Sequence, residues 1–256
     1  MSETAKITFI IPSIGRDTLH TTIESLLNQT CSEWKAIVVF DGVEPSLQTT
    51  DDRFTILQIQ KEQKDETQYE NRAGYVRNYG IQFATTEWVA FVDDDDTLLS
   101  DYVERFLEET DTYDNDVVIF RMVRYEYVHV PERLKPEVIE FIKTYDSLVK
   151  SGLETQPYNY TVMEGDTFSI IRLVYIYPFE TTDNLYDSQV GISFAVKRYI
   201  FQSGIQFNYE KHEDFKLLDR IRSNKYKMMI SPHIVYIIRD SLRPGEYNTN
   251  RVFINH

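Results

Sequence analysis

The sequence predicts an α/β fold with a mostly parallel central sheet and helices on both of its faces. Short apolar runs rich in β-branched residues alternate along the chain with amphipathic helical patterns, as in parallel strands joined by helices. Several of these runs end at a proline, glycine or aspartate, which are turn residues. The 256 residues are 42% hydrophobic and 14% aromatic, which is enough apolar material for one sizeable core.

The first predicted helix lies between two predicted strands. The run "KITFII" is apolar and β-branched, and we expect Pro12 to end it. Asp17 is the expected N-cap of the helix that follows, because the next apolar residues fall on one helical face. The second strand, "WKAIVVF", ends at Asp41, and "FTILQI" gives a weaker third strand.

A second helix is predicted from Glu70 to Ala84, although Gly74 and Gly80 weaken its pattern. The short strand "EWVAFV" comes next and runs directly into four aspartates, residues 93–96. Ligands of open α/β sheets bind at the carboxyl ends of the strands. The aspartates therefore lie where a binding site is expected.

Composition excludes several classes of function. The formal charge of −14 opposes non-specific binding to nucleic acid or to anionic lipid. No apolar run reaches the roughly 18 residues of a membrane span, so no integral membrane segment is predicted. The start of the chain lacks the features of a signal peptide, and a single cysteine fits a reducing compartment, so we expect a cytoplasmic protein.

The four aspartates favour a metal site. In an extended chain, Asp93 and Asp95 are expected on one side, and Asp94 and Asp96 on the other, at least until a turn begins. Like charges this close are unfavourable unless a cation lies between them, and Mg²⁺ or Mn²⁺ binds carboxylate oxygens while leaving positions for substrate phosphates. The alternative is a solvated acidic turn in which Asp96 or Ser100 caps the next helix.

An ordered set of motifs resembles the family 2 glycosyltransferases with the GT-A fold: "ITFIIPSIGR", "TIESLLNQT", "AIVVFDG", "NRAGYVRNYGIQFATTEWVAFVDDDD" and "EDFKLLDRI". The resemblance is dense over the first 100 residues and thin between residues 125 and 186. It implies one GT-A catalytic domain over residues 1–256. Residues 1–124 would form the nucleotide-sugar-binding half, and residues 125–256 the acceptor-binding half that supplies the base.

The same resemblance implies roles for the aspartates. The family's D-x-D motif corresponds to Asp93, Asp94 and Asp95. Asp95 is then the expected direct ligand of Mn²⁺ or Mg²⁺, with Asp93 nearer the ribose and diphosphate and Asp94 beside the nucleotide sugar. Asp96 is expected to be structural. His233 is a candidate extra ligand, although a lone histidine that starts an apolar strand is more often structural.

Residues of the nucleoside pocket are also implied. Asp41 corresponds to the family position that accepts a hydrogen bond from the ring N–H of uracil, although a plain β-turn before glycine explains it equally well. The loop after the first strand implicates Pro12, Ser13 and Arg16. On the second helix, Arg72 is the candidate to reach the nucleotide, and we expect Arg77, five residues later, to be a surface residue.

The expected base lies at the start of a late helix. Glu213 and Asp214 precede an apolar helical pattern, where acids can simply compensate the helix dipole. The resemblance makes Asp214 the general base and Glu213 the residue that orients it or contacts the acceptor. Arg239 and Arg243 could close over the diphosphate from a mobile tail.

These expectations describe an inverting, metal-dependent glycosyltransferase that moves a sugar from a nucleotide diphosphate sugar, a UDP-sugar first, to a carbohydrate or other hydroxyl acceptor. A sugar nucleotidyltransferase would also need paired aspartates, but "PSIGRDT" is too poor in glycine for its usual phosphate loop. A non-catalytic nucleotide-sugar-binding relative would more plausibly have lost Asp95 or Asp214, and both are present.

Overall fold

The computed structural model describes residues 5–60, 72–131, 135–137, 140, 157–164, 168–176, 182 and 191–238. The chain forms two compact units. The first consists of Met1–Arg121 and Phe179–Tyr236, and the second of Met122–Pro178 and Ile237–His256. Asp214 therefore belongs to the same unit as the four aspartates.

The strands of the described residues are β1 (Ile7–Ser13), β2 (Trp34–Asp41), β3 (Phe54–Ile59), β4 (Trp88–Phe91), β5 (Thr97–Leu98), β6 (Val117–Pro131), β7 (Pro157–Glu164), β8 (Phe168–Ile176), β9 (Phe194–Lys197) and β10 (Met228–Ile238). The main sheet has the order β3-β2-β1-β4-β9-β6-β10-β5. In the second unit, β7 and β8 form an antiparallel pair, and β8 pairs with the end of β6.

The first four strands are the parallel part of the sheet. β1 pairs in parallel with β2 and β4, and β2 with β3, while β9 joins β4 in the antiparallel direction. Side chains of β1, β2 and β4 are almost all buried, which explains why these strands read as continuous apolar runs. The predicted α/β fold with a mostly parallel sheet is confirmed, with antiparallel strands added on one side.

Pro12 does not end the first strand, contrary to the prediction. β1 continues to Ser13, and Pro12 stays in register with Val39 of β2. The missing N–H of Pro12 faces the other neighbour, because the Ile10 carbonyl, two residues earlier, accepts from Val92 on that side. The β4 ladder reaches only as far as Ile10, so no ladder hydrogen bond is lost at Pro12.

The helices are α1 (Leu19–Leu27), α2 (Arg72–Ile81), α3 (Tyr102–Thr112), α4 (Arg198–Gln202) and α5 (Glu213–Ser223). The N-caps of two helices differ from the residues that the sequence suggested. Thr18, not Asp17, is the N-cap of α1, and Asp101, rather than Asp96 or Ser100, is that of α3. Asp96 cannot serve as that cap because it lies in the preceding turn, buried away from the helix end.

The two glycines of α2 are needed for close packing. A Cβ at Gly74 would lie 2.3 Å from the carbonyl oxygen of Asn208, and one at Gly80 would lie 2.7 Å from Cγ2 of Ile10. Asn78, on the same helix, exchanges two hydrogen bonds with the backbone of Phe207. Glycine lowers the helix propensity of α2 but lets the helix lie directly against β1 and the segment before α5.

Candidate active site

Polar side chains collect at the carboxyl ends of the parallel strands. β1 ends at Ser13, β2 ends at Asp41, and β4 is followed after one residue by Asp93. Because parallel strands present their carboxyl ends at the same edge, these residues share one rim of the sheet. The first turn of α5 and the later part of β10 contribute further side chains to this rim.

The four aspartates form a turn, not an extended segment. The N–H of Asp96 donates to the Asp93 carbonyl at 3.1 Å, which folds the chain back on itself. Carboxylate oxygens of Asp93, Asp95 and Asp96 all lie within 4.8 Å of one another. Asp96 thus groups with Asp93 and Asp95 rather than with Asp94, because strand alternation holds only until the turn begins.

Asp94 points away from this group and shapes the loop after β1. It accepts hydrogen bonds from the Ser13 hydroxyl at 2.8 Å, the Ile14 N–H at 3.2 Å and Nη1 of Arg16 at 2.7 Å. Its exposed fraction is 3%. Asp94 thus holds the loop that includes Ser13 and Arg16, two residues predicted to line the nucleoside.

Arg16 also lies beside the acidic group. Its side chain is 47% exposed, and Nη1 is 3.3 Å from a carboxylate oxygen of Asp95 as well as 2.7 Å from Asp94. The guanidinium offsets part of the negative charge of the turn. Its exposure leaves it accessible to an anionic ligand.

Arg77 is buried at the centre of the site, so the prediction that it is a surface residue is wrong. Its exposed fraction is 3%, and its two terminal nitrogens donate to Asp93 and, at 2.6 Å, to Glu213. Burial alone would lower the pKa of Arg77, but the charges and hydrogen bonds of Asp93 and Glu213 raise it above its ordinary value. Arg77 therefore stays charged and links the aspartate turn to helix α5.

Asp41 and Arg72, which were both predicted to contact the nucleotide, contact each other. Arg72 donates from Nε to Asp41 at 2.8 Å and from Nη2 to the other carboxylate oxygen. The exposed fraction of Asp41 is 8%, and the guanidinium lies over the ring of Tyr75. This bidentate pair joins the end of β2 to the start of α2.

The surroundings of Asp214 raise the pKa of its carboxyl. It lies in the first turn of α5, beside Glu213, which is buried against Arg77. Burial raises the pKa of Asp214 to about 6, helped by the charges of Glu213 and Asp93 and opposed by the Phe215 N–H and Arg77. Simple compensation of the helix dipole would lower this pKa. Dipole compensation alone therefore does not account for the raised pKa of Asp214.

His233 lies apart from the aspartates. Its Nε2 is 3.8 Å from a carboxylate oxygen of Glu109 on α3, and its backbone N–H donates to the Ser231 hydroxyl, which in turn donates to Glu109. Among the described residues, the acidic group consists of Asp93, Asp95 and Asp96 without it. Arg239 and Arg243 lie outside the described residues.

Sequence reasoning missed two residues at the rim. Asp96 was expected to be structural, yet its carboxylate joins the acidic group. Tyr236 of β10 donates from its hydroxyl to Asp96 at 2.7 Å. The two are 140 positions apart, and a tyrosine in an apolar strand reads as a core residue, so no local signal could have identified it.

The donor set fits a small, hard divalent cation. All three side chains of the group offer carboxylate oxygens, which suit Mg²⁺ and Mn²⁺ better than softer metals. Oxygens bound to one Mg²⁺ ion are at most about 4.2 Å apart, since metal–oxygen distances are about 2.0–2.1 Å. The carboxylate oxygens of the group lie within 4.8 Å of one another, so small side-chain adjustments bring them onto one ion. The positive charges of Arg16 and Arg77 offset part of the negative charge of the aspartates. The carboxylates can therefore stay close together even where one of them does not bind the metal.

The fold is that of a GT-A domain. The profile of the family "Glycosyl transferase family 2" matches residues 8–173, and the chain belongs to this family. Bacillus subtilis (strain 168) EpsH, whose name assigns it provisionally to the glycosyltransferases, is 31% identical over 121 residues. That alignment covers 43% of this chain and 33% of EpsH, so the chain spans about a third of this relative.

Solved structures of S. aureus TarS 1-349 share the fold. The structures without ligand, with UDP and with UDP-GlcNAc have TM-scores of 0.56, 0.58 and 0.59 at 14%, 16% and 17% identity. The matches cover 91–94% of this chain and 60% of that chain. Within the described part of our chain, there is no helix with the length and hydropathy of a bilayer span.

Proposed function

We propose that this protein is an inverting, metal-dependent glycosyltransferase that moves a sugar from a UDP-sugar to a hydroxyl acceptor. The observation that carries the proposal is the Arg77 bridge. It connects Asp93, in the turn suited to a metal-bound diphosphate, with Glu213, the neighbour of the candidate base Asp214. Arg77 thus keeps the leaving-group site in a fixed position relative to the helix turn that carries the base.

Donor binding begins with the nucleoside. The Asp41 carboxylate can accept the ring N–H of uracil while Arg72 holds it in place. Arg16, half exposed beside the turn, is positioned to meet a diphosphate oxygen. The TarS structures with UDP and with UDP-GlcNAc support a UDP-sugar as the first donor to test.

The aspartate turn serves the departing diphosphate. Asp95, with Asp93 and Asp96, would hold Mn²⁺ or Mg²⁺, which neutralises the charge that the diphosphate gains. Asp94 contributes by accepting hydrogen bonds from Ser13 and Arg16, which fixes the loop after β1. The carboxylates are held in position before any ligand arrives, so little reorganisation is needed during the reaction.

Asp214 completes the chemistry. The acceptor oxygen attacks the anomeric carbon, its proton passes to Asp214, and the bond to the diphosphate oxygen breaks, releasing the nucleoside diphosphate. A single displacement inverts the configuration at that carbon. Residues 1–124 supply the donor site in this proposal, and residues 125–256 supply the base and the acceptor side.

Thermal unfolding with UDP-, GDP- and dTDP-sugars, with and without Mn²⁺, tests the proposal. A ligand at 100 times its dissociation constant stabilises a protein by about 2.7 kcal/mol. We expect a UDP-sugar to raise the midpoint, and Mn²⁺ to increase that shift. Release of UDP rather than pyrophosphate, with inverted product by NMR, would distinguish a transferase from a nucleotidyltransferase. No response to any donor in the presence of Mn²⁺ would contradict the proposal.

A further inference from the structure

The hydroxyl of Tyr236 lies at the two ends of the aspartate turn. It donates to Oδ2 of Asp96 at 2.7 Å and accepts from the backbone N–H of Asp93 at 3.3 Å. One phenol oxygen therefore connects the first and last residues of a four-residue turn. Because β10 is a strand of the main sheet, the turn is attached through this oxygen to a rigid element.

Tyr236 is enclosed by the protein. Its exposed fraction is 0%. The hydroxyl is therefore shielded from water, and both of its hydrogen bonds are to the ends of the turn.

Thr22 of α1 holds the same turn from the other side. Its hydroxyl lies 2.7 Å from the Asp96 carbonyl and 3.4 Å from the Asp93 carbonyl, and the residue is fully buried. Tyr236 fixes a carboxylate and an N–H, whereas Thr22 fixes carbonyls. The turn is thus supported by two hydroxyls from two separate elements.

We propose that Tyr236 is a positioning residue for the divalent cation, with Thr22 as its counterpart, and that it holds Asp96 in the orientation that lets three carboxylates share one ion. This inference rests on the proposed metal dependence. Hydrogen-bond partners that orient metal ligands typically change metal affinity by about 10–100-fold when they are removed. Like charges would otherwise drive Asp96 away from Asp93 and Asp95.

The test is Tyr236→Phe, which removes only the hydroxyl. We expect the Kd for Mn²⁺ alone, measured by electron paramagnetic resonance of free Mn²⁺, to rise about 10–100-fold. Far-ultraviolet circular dichroism should be unchanged. The Mn²⁺ concentration for half-maximal activity should rise by more than kcat falls, because the loss lies in cation binding and excess Mn²⁺ restores it.

Tyr102→Phe is the matched control. Tyr102 is also fully buried, packs against Phe9 and Phe120, and its hydroxyl has no hydrogen-bond partner among the described residues. Loss of that hydroxyl should leave Mn²⁺ affinity unchanged. Equal effects of the two substitutions would reduce Tyr236 to a packing residue and overturn the inference.

Thr22→Val provides a second variant of the same turn, isosteric and without the donor. It should weaken Mn²⁺ binding in the same direction, and it keeps the inference testable if Tyr236→Phe folds poorly. Wild-type protein that binds no Mn²⁺ would overturn the proposed metal dependence and this inference together. Wild-type protein that binds Mn²⁺, with both variants binding it equally well, would overturn this inference alone.

Discussion

Two arginines of helix α2, five residues apart, serve two different parts of the site. Arg72 makes a bidentate pair with one carboxylate, Asp41, at the end of the neighbouring strand β2. Arg77 is more deeply buried and divides its donors between Asp93 and Glu213, which belong to different elements. We call the first the nucleoside pair (Asp41 and Arg72) and the second the bridge (Asp93, Arg77 and Glu213).

One helix can therefore separate donor recognition from the chemical step. The nucleoside pair fixes a single carboxylate, which reads the nucleoside base in our proposal, so its loss should affect binding. The bridge holds two carboxylates of like charge in fixed relation, with Asp214 next to one of them. Its loss should affect folding and turnover, because a buried charge shared between two acids cannot be removed without leaving both unpaired.

The largest expected effect comes from the base beside the bridge. Asp214→Asn keeps the shape of the side chain but cannot take a proton, so kcat should fall about 10²–10⁴-fold. Initial rates of UDP release, with water or an added sugar as acceptor, measure this loss. Asp219→Asn is the matched control, since Asp219 lies on the same helix in an exposed pair with Arg222. A rate for Asp214→Asn equal to that of the control would assign the base elsewhere.

The same variant has a pH signature. Because the pKa of Asp214 is raised to about 6, the wild-type rate should rise about tenfold per pH unit below that value and level off above it. This limb should be absent in Asp214→Asn. The stabilising contribution of Asp214 is complete below its unfolded pKa of 3.8 and is lost as pH rises through about 6. The Asn variant should therefore be more stable at pH 7, by up to about 3 kcal/mol, since one pKa unit corresponds to about 1.4 kcal/mol.

The bridge itself should matter most for stability. Arg77→Met removes the charge but keeps the length of the side chain, leaving Asp93 and Glu213 unpaired, and we expect the free energy of unfolding to fall by about 3–5 kcal/mol. Urea titration followed by circular dichroism measures this. Arg105→Met removes exposed pairs with Asp101 and Glu108 on α3 and should change little. Similar losses for the two variants would mean that the bridge does not act as a buried ion pair.

The contrast between the two arginines also explains what the sequence could predict. The nucleoside pair joins a strand end to the start of the next described helix, so both residues could be proposed from motif and position. Arg77 contacts a residue 136 positions away, and such a partner is set by how α5 packs, which no local pattern records. The sequence shows that residue 77 is an arginine, but it does not show that this arginine is buried.

The aspartates show the same limit at shorter range. Their place after β4 follows from the apolar run and the order of elements, and this part of the prediction is confirmed. Which carboxylates converge depends on the hydrogen bond that closes the turn from Asp96 to Asp93. Alternation in an extended strand could not anticipate that bond, and it therefore grouped Asp96 with Asp94.

The smallest expected effect is at the nucleoside pair, and it decides whether the two arginines really differ. Arg72→Gln should raise KM for the UDP-sugar about 10–100-fold, since a charged hydrogen bond contributes about 1.5–3 kcal/mol, while kcat changes less. Arg53→Gln is the matched control, because Arg53 makes a similar pair with Asp51 at the start of β3, over the ring of Trp34.

Arg53→Gln should leave KM and kcat unchanged. Arg53 directly precedes the first residue of β3, whereas the rim lies at the carboxyl ends of the parallel strands. A fall in kcat for Arg72→Gln with KM unchanged would give Arg72 the role assigned to Arg77, and the division between binding and chemistry along α2 would be lost. A rise in KM alone would instead mean that Arg72 contributes equally to the bound donor and to the transition state. Interactions of that kind set the affinity for the donor, and the bridge and Asp214 would then determine kcat.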